Sequence, residues 1–321
     1  MLTGINRKLL CCWALIGSLI APQALAESAA QQWLGRMNDA VRQLNYEGTF
    51  VYLHDGQLEA MHLIHVMHPD TGEHERLLSL NGAAREVVRD DHGVACIWPD
   101  TGSVFVESRN GELGFPVILP RDLGKLHSHY EYLALGPDRV AGKNAQQILI
   151  HPRDAYRYGY RLWIDEASGL PLKSDLLDET GEAIEQIMFT SLSVFEEINP
   201  EHLRHMDVPD IAETPQHNDI SGKSRWSTDL MPEGFLMTAH GMRPEENGHV
   251  VEHMVFSDGL ASFSVYIEPT VGETLNGASR MGSISAFGMR KGEYQITVVG
   301  EVPEATVRQV AESMSMLRDE P

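Results

Sequence analysis

Histidine is the residue type in this sequence that most readily suggests chemistry, because its 15 copies could bind metal or carry protons. Three of them, His54, His62 and His65, fall within YEGTFVYLHDGQLEAMHLIHV. If two strands meet at the Asp-Gly turn, alternation places His62 on the face opposite both others, and His54 and His65 near opposite ends of the hairpin. Zinc holds its nitrogen ligands at about 2 Å. The sequence therefore predicts no shared metal site here.

Other catalytic patterns are missing from the sequence. It has no nucleophile elbow, no phosphate-binding glycine loop, no H-E-x-x-H and no paired-cysteine zinc pattern. His127 and His129 could flank a metal on one strand face, but no third ligand accompanies them. We therefore expect a protein that is not an enzyme, with no catalytic residue, no metal and no cofactor.

The segment RDAYRYGYR could bind an anion. If it is a strand, Arg157 and Arg161 share one face with Trp163. Arginines beside aromatic rings can hold phosphate or carboxylate through charge-assisted hydrogen bonds. The alternative is cross-strand pairing with an acidic residue such as Asp175 or Glu185. Both interpretations stay open.

The first hairpin is apolar on both faces. One face carries Val51, Leu53, Leu58, Ala60, Ile64 and Val66. The other carries Phe50, Tyr52, Met61 and Leu63. A sheet with one face in water alternates apolar with polar residues, so both faces of this one need a cover. A sheet curled around an apolar cavity explains the pattern, and a filled sandwich core explains it equally well. In the first case the second set, with Trp163, would bind lipid.

An apolar stretch at 115–120 lies between two strand-rich blocks. Pro116 and Pro120 bracket it, so it cannot be a central strand. It is either a loop tucked into the core or an apolar lip at the mouth of a cavity. As a lip, it would contribute to lipid binding through four side chains, Phe115, Val117, Ile118 and Leu119.

The beginning of the chain is typical of an exported protein. Arg7 and Lys8 precede an apolar run of about a dozen residues, too short to span a membrane, and Ala24-Leu25-Ala26 is a cleavage motif. We expect a signal peptide at 1–26 and a periplasmic protein. Removing the two basic residues from 25 leaves 23 against 46 acidic ones, a formal net charge of −23. Such a charge argues against nucleic acid as a partner.

The remaining chain predicts two domains. Apolar residues at helical spacing indicate a helix over 28–44, and frequent Asp-Gly and Asn-Gly turns then indicate an antiparallel meander. Residues 205–224 have the composition of a linker. Beyond them we expect a smaller α+β domain, with hairpins at 250–268 and 282–300 and a closing helix after Pro303. The domains are then 27–204 and 225–321.

Several segments resemble one known family. FVYLHDGQLEAMHLIH, YRLWIDEASGLPLKSDLLDETGEAIEQIMFTSL, MPEGF, FSDGLASFSVYIE and VVGEVPEATVRQVAESM are similar, in this order, to the RseB/MucB family of periplasmic regulators. The first domain of that family resembles the lipoprotein carriers LolA and LolB. The resemblance implies an α+β, mainly antiparallel β fold: an unclosed β-barrel with helices in its concave side, followed by the smaller domain.

The resemblance also implies a role in regulation. Such proteins bind the periplasmic part of a transmembrane anti-sigma factor and shield it from a regulatory protease, and lipid or lipopolysaccharide fragments release it. Lipid A or another acyl-chain lipid is then a second ligand, and self-association stays open. In the C-terminal domain we assign partner binding to four residues of these segments and their surroundings: Trp226, Phe235, Asp258 and Tyr266. A lipid or lipoprotein carrier of the LolA/LolB type is the alternative.

Overall fold

The computed structural model describes residues 21–108, 119–120, 123–199, 203, 224–244, 249–272 and 274–317. Residues 1–20 of the expected signal peptide lie outside the described residues. So do most of the expected linker and three of the lipid-binding candidates, Phe115, Val117 and Ile118. In the part that is described, no helix is long and apolar enough to cross a membrane.

The first sheet has 11 strands, all antiparallel to their neighbours, in the order β6-β5-β4-β3-β2-β1-β11-β10-β9-β8-β7. Its strands are β1 (Asn45–His54), β2 (Gln57–His68), β3 (Gly72–Ser79), β4 (Glu86–Arg89), β5 (Gly93–Trp98), β6 (Ser103–Ser108), β7 (Tyr130–Val140), β8 (Lys143–Pro152), β9 (Gly159–Asp165), β10 (Pro171–Leu177) and β11 (Ala183–Phe195). The two end strands, β6 and β7, do not pair with each other, so the sheet is curved but unclosed. The predicted meander and unclosed fold are confirmed.

The β1–β2 hairpin has the predicted register. Leu53 lies opposite Leu58 and Thr49 lies opposite His62. The turn is tight because Asp55 and Gly56 both adopt positive φ, 46° and 70°, which are the angles a two-residue turn requires.

The two faces of this hairpin have different surroundings. Phe50 and Leu63 have no exposed surface, and they belong to the core of the first sheet. On the other face, Leu53 is 41% exposed and Leu58 is 57% exposed. The expectation that both faces need a cover is therefore wrong at the tip of the hairpin, although Val66 on the same face is buried.

Helix α1 (Ala21–Gln43) packs against β7 and β8 of the first sheet. The predicted apolar stripe faces the core: Ala30, Leu34 and Met37 have no exposed surface. They form one cluster with side chains of β1, β2 and β7–β11. Within the described residues, the concave side of the sheet is thus packed with the side chains of α1.

The segment RDAYRYGYR does not form the strand considered above. Residues 153–158 are bends and loop, and β9 begins only at Gly159. Arg157 therefore does not share a strand face with Arg161 and Trp163. A cause is available in the chain itself: Asp154 Oδ1 accepts the Tyr156 backbone N–H at 3.0 Å, a local turn that competes with strand pairing.

The second sheet has six strands in the order β13-β14-β15-β18-β17-β16. The strands are β13 (Leu236–Pro244), β14 (Val250–Ser257), β15 (Ser262–Pro269), β16 (Gly277–Met281), β17 (Ile284–Lys291) and β18 (Tyr294–Gly300). Two short strands, β12 (Trp226–Thr228) and β19 (Met314–Met316), pair separately. Both predicted hairpins are confirmed.

Helix α2 (Glu304–Ser313) begins directly after Pro303, as predicted. Its Val307, Val310 and Ala311 have no exposed surface and belong to one hydrophobic cluster with Phe287 of β17 and Val298 of β18, the strands that the helix contacts. The helix thus covers one face of the second sheet, and this second unit has a hydrophobic core of its own.

Candidate functional site

The two sheets contact each other in two regions. The first surrounds the turn between β14 and β15, at 258–261, which meets loop 153–158 of the first unit. The second surrounds the turn between β16 and β17, at 282–283, which faces the tip of the β1–β2 hairpin. The two regions differ in how their charged side chains are paired.

A buried ion pair forms the centre of the first region. Arg157 Nη1 lies 2.6 Å from Asp258 Oδ2, and neither side chain has exposed surface. The Tyr130 hydroxyl donates to the same oxygen at 3.0 Å. Asp258 Oδ1 accepts the backbone N–H groups of Leu260, at 2.8 Å, and Ala261, at 2.7 Å. Burial, followed by the Asp258 charge, raises the pKa of Tyr130 well above its ordinary value.

The remaining donors of Arg157 are also satisfied. Nε donates to Asp154 Oδ1 at 3.0 Å, and Nη2 donates to the Glu233 carbonyl at 2.7 Å. The guanidinium carbon lies 4.9 Å from the centre of the Phe235 ring. Arg157 therefore pairs with two carboxylates of the same chain, Asp154 in its own loop and Asp258, 101 residues away, and not with Asp175 or Glu185.

Arg161 has a different environment from Arg157. It lies opposite Asp175 on neighbouring strands, as the cross-strand alternative requires. Asp175, however, bonds to Gln186 at 2.8 Å and to Lys173 at 3.3 Å. The Arg161 Nε is buried and has no hydrogen-bond partner among the described residues.

Helix α2 adds two hydrogen bonds to the first region. The Thr306 hydroxyl donates to the Tyr156 carbonyl at 2.7 Å, and the Tyr156 hydroxyl donates to Gln309 Oε1 at 2.7 Å. On the other side of the Arg157 loop, Leu260 of the second unit packs against the core of the first. The first region is thus a closely packed contact between the units.

The second region contains an open cavity of about 670 Å³, which we call the interdomain cavity. Tyr52, His54, Asp55, Gln57 and Glu185 of the first unit form one wall, and residues 281–284 and 299–301 form the other. Most of the wall surface is apolar. Gly282, at φ 58°, makes the turn that brings the walls together.

The charged groups of the interdomain cavity are mainly acidic. Asp55, Glu185 and Glu301 line it, and the described residues of the lining include neither lysine nor arginine. The Tyr52 hydroxyl donates to Glu185 Oε2 at 2.6 Å, and the Ser283 hydroxyl donates to Glu301 Oε1 at 3.1 Å. Burial and the nearby Glu185 charge raise the pKa of Glu301. Burial, with the hydrogen bond to Glu185, raises the pKa of Tyr52 above its ordinary value.

A half-exposed face of the second sheet continues from this cavity. Val299, which lines the cavity, shares that face with Tyr266, because Ser264 pairs with Val299 and Tyr266 pairs with Thr297. The Tyr266 ring stacks on His253 at 4.4 Å with an interplanar angle of 4°. Burial, and then the Arg243 charge, lower the pKa of His253. Helix α2 packs against the opposite face.

The structure distributes the lipid-binding candidates between core and cavity. Phe50, Met61, Leu63 and Trp163 are buried in the core of the first unit. Tyr52 is half-buried and lines the interdomain cavity. The core side of the hairpin thus has the filled packing that the sequence left as one of two alternatives.

The described end of the 115–120 segment packs on α1. Leu119 has no exposed surface. Its carbonyl accepts Arg42 Nη2 at 3.1 Å, and the Pro120 carbonyl accepts Asn38 Nδ2 at 3.3 Å. Leu119, at the end of this segment, is therefore part of the core of the first unit.

Of the four partner-binding candidates, only Tyr266 has substantial exposed surface. Trp226 is buried against Tyr294, with ring centres 5.4 Å apart. Phe235 is buried against Arg157, and Asp258 is taken by the same guanidinium. In this structure Tyr266 is therefore partly accessible, whereas Trp226, Phe235 and Asp258 are not.

The histidines are separated as the register predicts. His65 is buried, with Nδ1 2.9 Å from the Leu44 carbonyl and Nε2 3.2 Å from Glu73. His127 lies in a turn and not on a strand, and its Nδ1 is 3.1 Å from Glu27. Across the described residues, no group of histidine, cysteine and acidic side chains is placed to hold a metal ion.

Sequence reasoning did not find the interdomain cavity. Its acidic residues come from the β1–β2 turn, from β11 and from the residue after β18, and nothing in these local sequences indicates that they face each other. Gly282 is the one residue of the lining whose type could have pointed to this region, because the turn between β16 and β17 needs a residue that tolerates positive φ.

Two family models match the chain in succession. The MucB/RseB N-terminal domain matches residues 29–207, and the MucB/RseB C-terminal domain matches residues 221–315.

Curated relatives match over nearly their full length. The sigma factor AlgU regulatory protein MucB of Pseudomonas aeruginosa is 36% identical over 309 residues, which are 94% of this chain and 95% of the relative. The sigma-E factor regulatory protein RseB of Escherichia coli is 28% identical over 309 residues, 93% of this chain and 94% of the relative.

Solved structures give the same assignment. A complex of Pseudomonas aeruginosa MucA and MucB overlays with a TM-score of 0.73 at 31% identity, covering 90% of this chain and 99% of the other. A structure of MucB in complex with MucA(peri) gives 0.71 at 31% identity, with the same coverage. A crystal structure of MucB gives 0.62 at 30% identity, covering 90% and 98%. The chain belongs to the MucB/RseB family.

Proposed function

We propose that this protein regulates a sigma factor by binding the periplasmic part of a membrane-spanning anti-sigma factor and shielding it from regulatory proteolysis. The observation that carries this proposal is the match of both family domains together with the overlay on MucB solved in complex with MucA(peri). The signal-like residues before Ala26 support export to the periplasm. A simple lipid carrier would have no evident need for a second unit with its own core.

The partner is proposed to bind where the two units meet. Tyr266 and His253 offer a half-exposed aromatic platform, and the face continues through Val299 into the interdomain cavity. This surface includes both units, so a segment lying across it could respond to a change in their arrangement. Among the three MucB overlays, those with MucA bound have the larger TM-scores.

Proteolysis of the partner tests the proposal. The periplasmic segment of the anti-sigma factor from the same organism would be incubated with its regulatory protease, with and without this protein in its mature form. We expect slower cleavage when the protein is present and a smaller effect for Tyr266→Ala. Equal cleavage rates with and without the protein would contradict the proposed function.

Lipid is proposed as the release signal, with the first unit as its binding site. The buried candidates lie around α1, where Arg42 and Asn38 hold the end of the 115–120 segment by hydrogen bonds to carbonyl groups. Because the core is packed, an acyl chain would have to displace an apolar segment, and this one is the candidate. Displacement there would disturb α1 and the strands it covers.

A charged residue in this segment tests the lipid proposal. Lipid A should restore cleavage of the protected anti-sigma segment, and Val117→Asp should weaken lipid binding more than it lowers the melting temperature. Phe50→Ala, in the core, is the control for loss of folding. If Val117→Asp lowers the melting temperature as much as Phe50→Ala, the segment is structural and the lipid proposal fails at this site.

A further inference from the structure

The interdomain cavity contains charge that the described part of the chain leaves uncompensated. Asp55, Glu185 and Glu301 make no ion pair with a described lysine, arginine or histidine. His54 is the basic side chain among the described residues of the lining, and its Nε2 lies 3.3 Å from Glu59, outside the cavity. Two like charges in one site disfavour each other's ionised form, whereas an added cation would favour both.

The nearest arginine on β16 is directed elsewhere. Arg280 Nε donates to the Gly282 carbonyl at 2.9 Å, and its charge adds to the Thr180 hydrogen bonds that lower the pKa of Asp178. Arg280 does not line the cavity. Arg280 therefore places a positive charge beside the cavity, and the carboxylates inside it have no lysine or arginine of the described chain as a partner.

The walls are shaped for a side chain that is apolar along its length and charged at its tip. Met281 is 68% exposed, Ile284 is 41% exposed, and both line the cavity together with Val299. Lysine and arginine bury an aliphatic stem on apolar surface while the charged end reaches polar groups. A volume of about 670 Å³ accommodates such a side chain together with the peptide backbone that carries it.

The neighbouring sheet edge can bind such a backbone. Strand β16 is the last strand of the second sheet, and Ala278, Ser279, Arg280 and Met281 are all exposed on it. An edge strand presents unpaired N–H and C=O groups, and an extended peptide can add to it. A peptide paired along β16 would pass the mouth of the cavity at Met281.

We infer that the interdomain cavity binds a lysine or arginine side chain of an extended peptide segment, with Glu185 and Glu301 pairing its charge and Met281, Ile284 and Val299 contacting its stem. This inference rests on the proposed function for the identity of the peptide, which is then a basic position of the anti-sigma segment. The site selects against phosphate-bearing lipid, because its charges have the same sign as phosphate.

Binding of the anti-sigma segment to the full mature protein tests the inference by calorimetry. The double variant Glu185→Gln/Glu301→Gln should bind about tenfold more weakly, because it removes both partners of the cation. The double variant Glu166→Gln/Glu293→Gln, at two exposed carboxylates in the β9–β10 and β17–β18 turns, also removes two negative charges, so it is the matched control for net charge and should leave the affinity unchanged. Replacing the critical lysine or arginine of the segment by methionine should weaken binding to the native protein and have no further effect on the double variant.

A small cation separates this inference from the proposed function. Benzamidine has an apolar ring and an amidinium tip, and benzamide is its neutral counterpart. We expect benzamidine to shift the resonances of Met281 and Ile284 in the native protein but not in the double variant, and benzamide to shift neither. If the segment binds all variants equally and benzamidine shifts nothing, the inference is overturned while the proposed function stands. If the segment does not bind but benzamidine does, the cation site stands and the proposed function fails.

Discussion

The two regions between the units use carboxylates in opposite ways. Asp258 is fully buried and fully paired, with Arg157, Tyr130 and two backbone N–H groups around it. Glu185 and Glu301 lie across a cavity from one another, each with a single hydroxyl donor. Each pair has one member in the first unit and one in the second, but only the pair Arg157 and Asp258 has charges of opposite sign.

This difference assigns different roles to the two regions. A buried, compensated pair fixes a geometry, since separating its partners would leave two charges in a medium of low dielectric. An uncompensated pair beside an open cavity favours the binding of a cation. The first region is thus expected to hold the units together, and the second to respond to what binds between them.

Breaking the ion pair should have the largest effect on stability. Arg157→Met leaves Asp258 buried without its cation, and removing one member of such a pair costs about 3–5 kcal/mol in the free energy of unfolding. Urea denaturation followed by tryptophan fluorescence measures it, with Trp226 reporting on the second unit. Adding Asp258→Asn removes the stranded charge and keeps an acceptor for the backbone, so the double variant should recover part of the loss.

The exposed pair Arg308–Glu304 on α2 is the control for the ion pair, since both of its side chains are nearly half exposed. Arg308→Gln should change stability little. If Arg157→Met were no more destabilising than Arg308→Gln, the ion pair would not hold the units together.

Two glycines, one in each region, show how closely the first and second units approach each other there. A Cβ at Gly234, whose φ is 90°, would overlap the His129 ring of the first unit, whereas a Cβ at Gly282 would lie 3.6 Å from Glu185 Oε1. Gly234→Ala should therefore cost about 3 kcal/mol through strain and overlap. Gly282→Ala should cost about 1 kcal/mol, from its backbone conformation alone. Thermal unfolding of both variants checks the ranking, and a larger loss for Gly282→Ala would reverse the comparison.

A smaller effect is expected from the Tyr156 hydroxyl. Tyr156→Phe removes the hydrogen bond to Gln309 at 2.7 Å and keeps the ring. The cost should be about 1 kcal/mol, the ordinary value of one hydrogen bond. Denaturation in urea measures this cost. Thr49→Val is the control, because it also removes a hydroxyl group but lies at a partly exposed position of β1, remote from the contact between the units.

Local pattern predicted the elements but not their charged contacts. The register of the first hairpin followed from one Asp-Gly turn, and α2 followed from Pro303 and the apolar residues at helical spacing after it. These features depend on neighbours in the sequence. The Arg157–Asp258 pair joins residues 101 positions apart, whereas the acidic residues considered for Arg157, Asp175 and Glu185, both belong to the first sheet. Periodicity carries no information about which turn of the second unit reaches loop 153–158.

The same limit applies to the candidate site. Tyr52 was singled out for its apolar face, and it does line a cavity, but its hydroxyl bonds to Glu185 in a largely apolar site with three carboxylates. The filled core around α1 could not be told from an empty barrel, because both give a hairpin that is apolar on two faces. Only the packing of Leu34 and Met37 with the side chains of the sheet distinguishes a filled core from an empty barrel.

The pH dependence of stability gives the smallest effect and the most direct test of the uncompensated charge. Glu301 has its pKa raised above the ordinary 4.5, mainly by burial and then by Glu185, while the Ser283 hydrogen bond opposes the shift. As pH rises through 4.5, the unfolded chain loses this proton first and the folded protein retains it, so the folded state binds more protons and the free energy of unfolding falls. The fall ends once pH exceeds the raised pKa. Glu301→Gln should therefore be more stable than the native protein at pH 7, with a smaller decline between pH 4.5 and 7.

Unfolding in urea at several pH values compares these slopes, with Glu293→Gln as the variant that should follow the native curve. An identical pH profile for Glu301→Gln and the native protein would show that neither burial nor Glu185 raises the pKa of Glu301 in the folded state. A bound cation should have the same effect as the substitution. Because it pairs with the ionised form, saturating benzamidine should lower the Glu301 pKa and flatten the native profile toward that of Glu301→Gln.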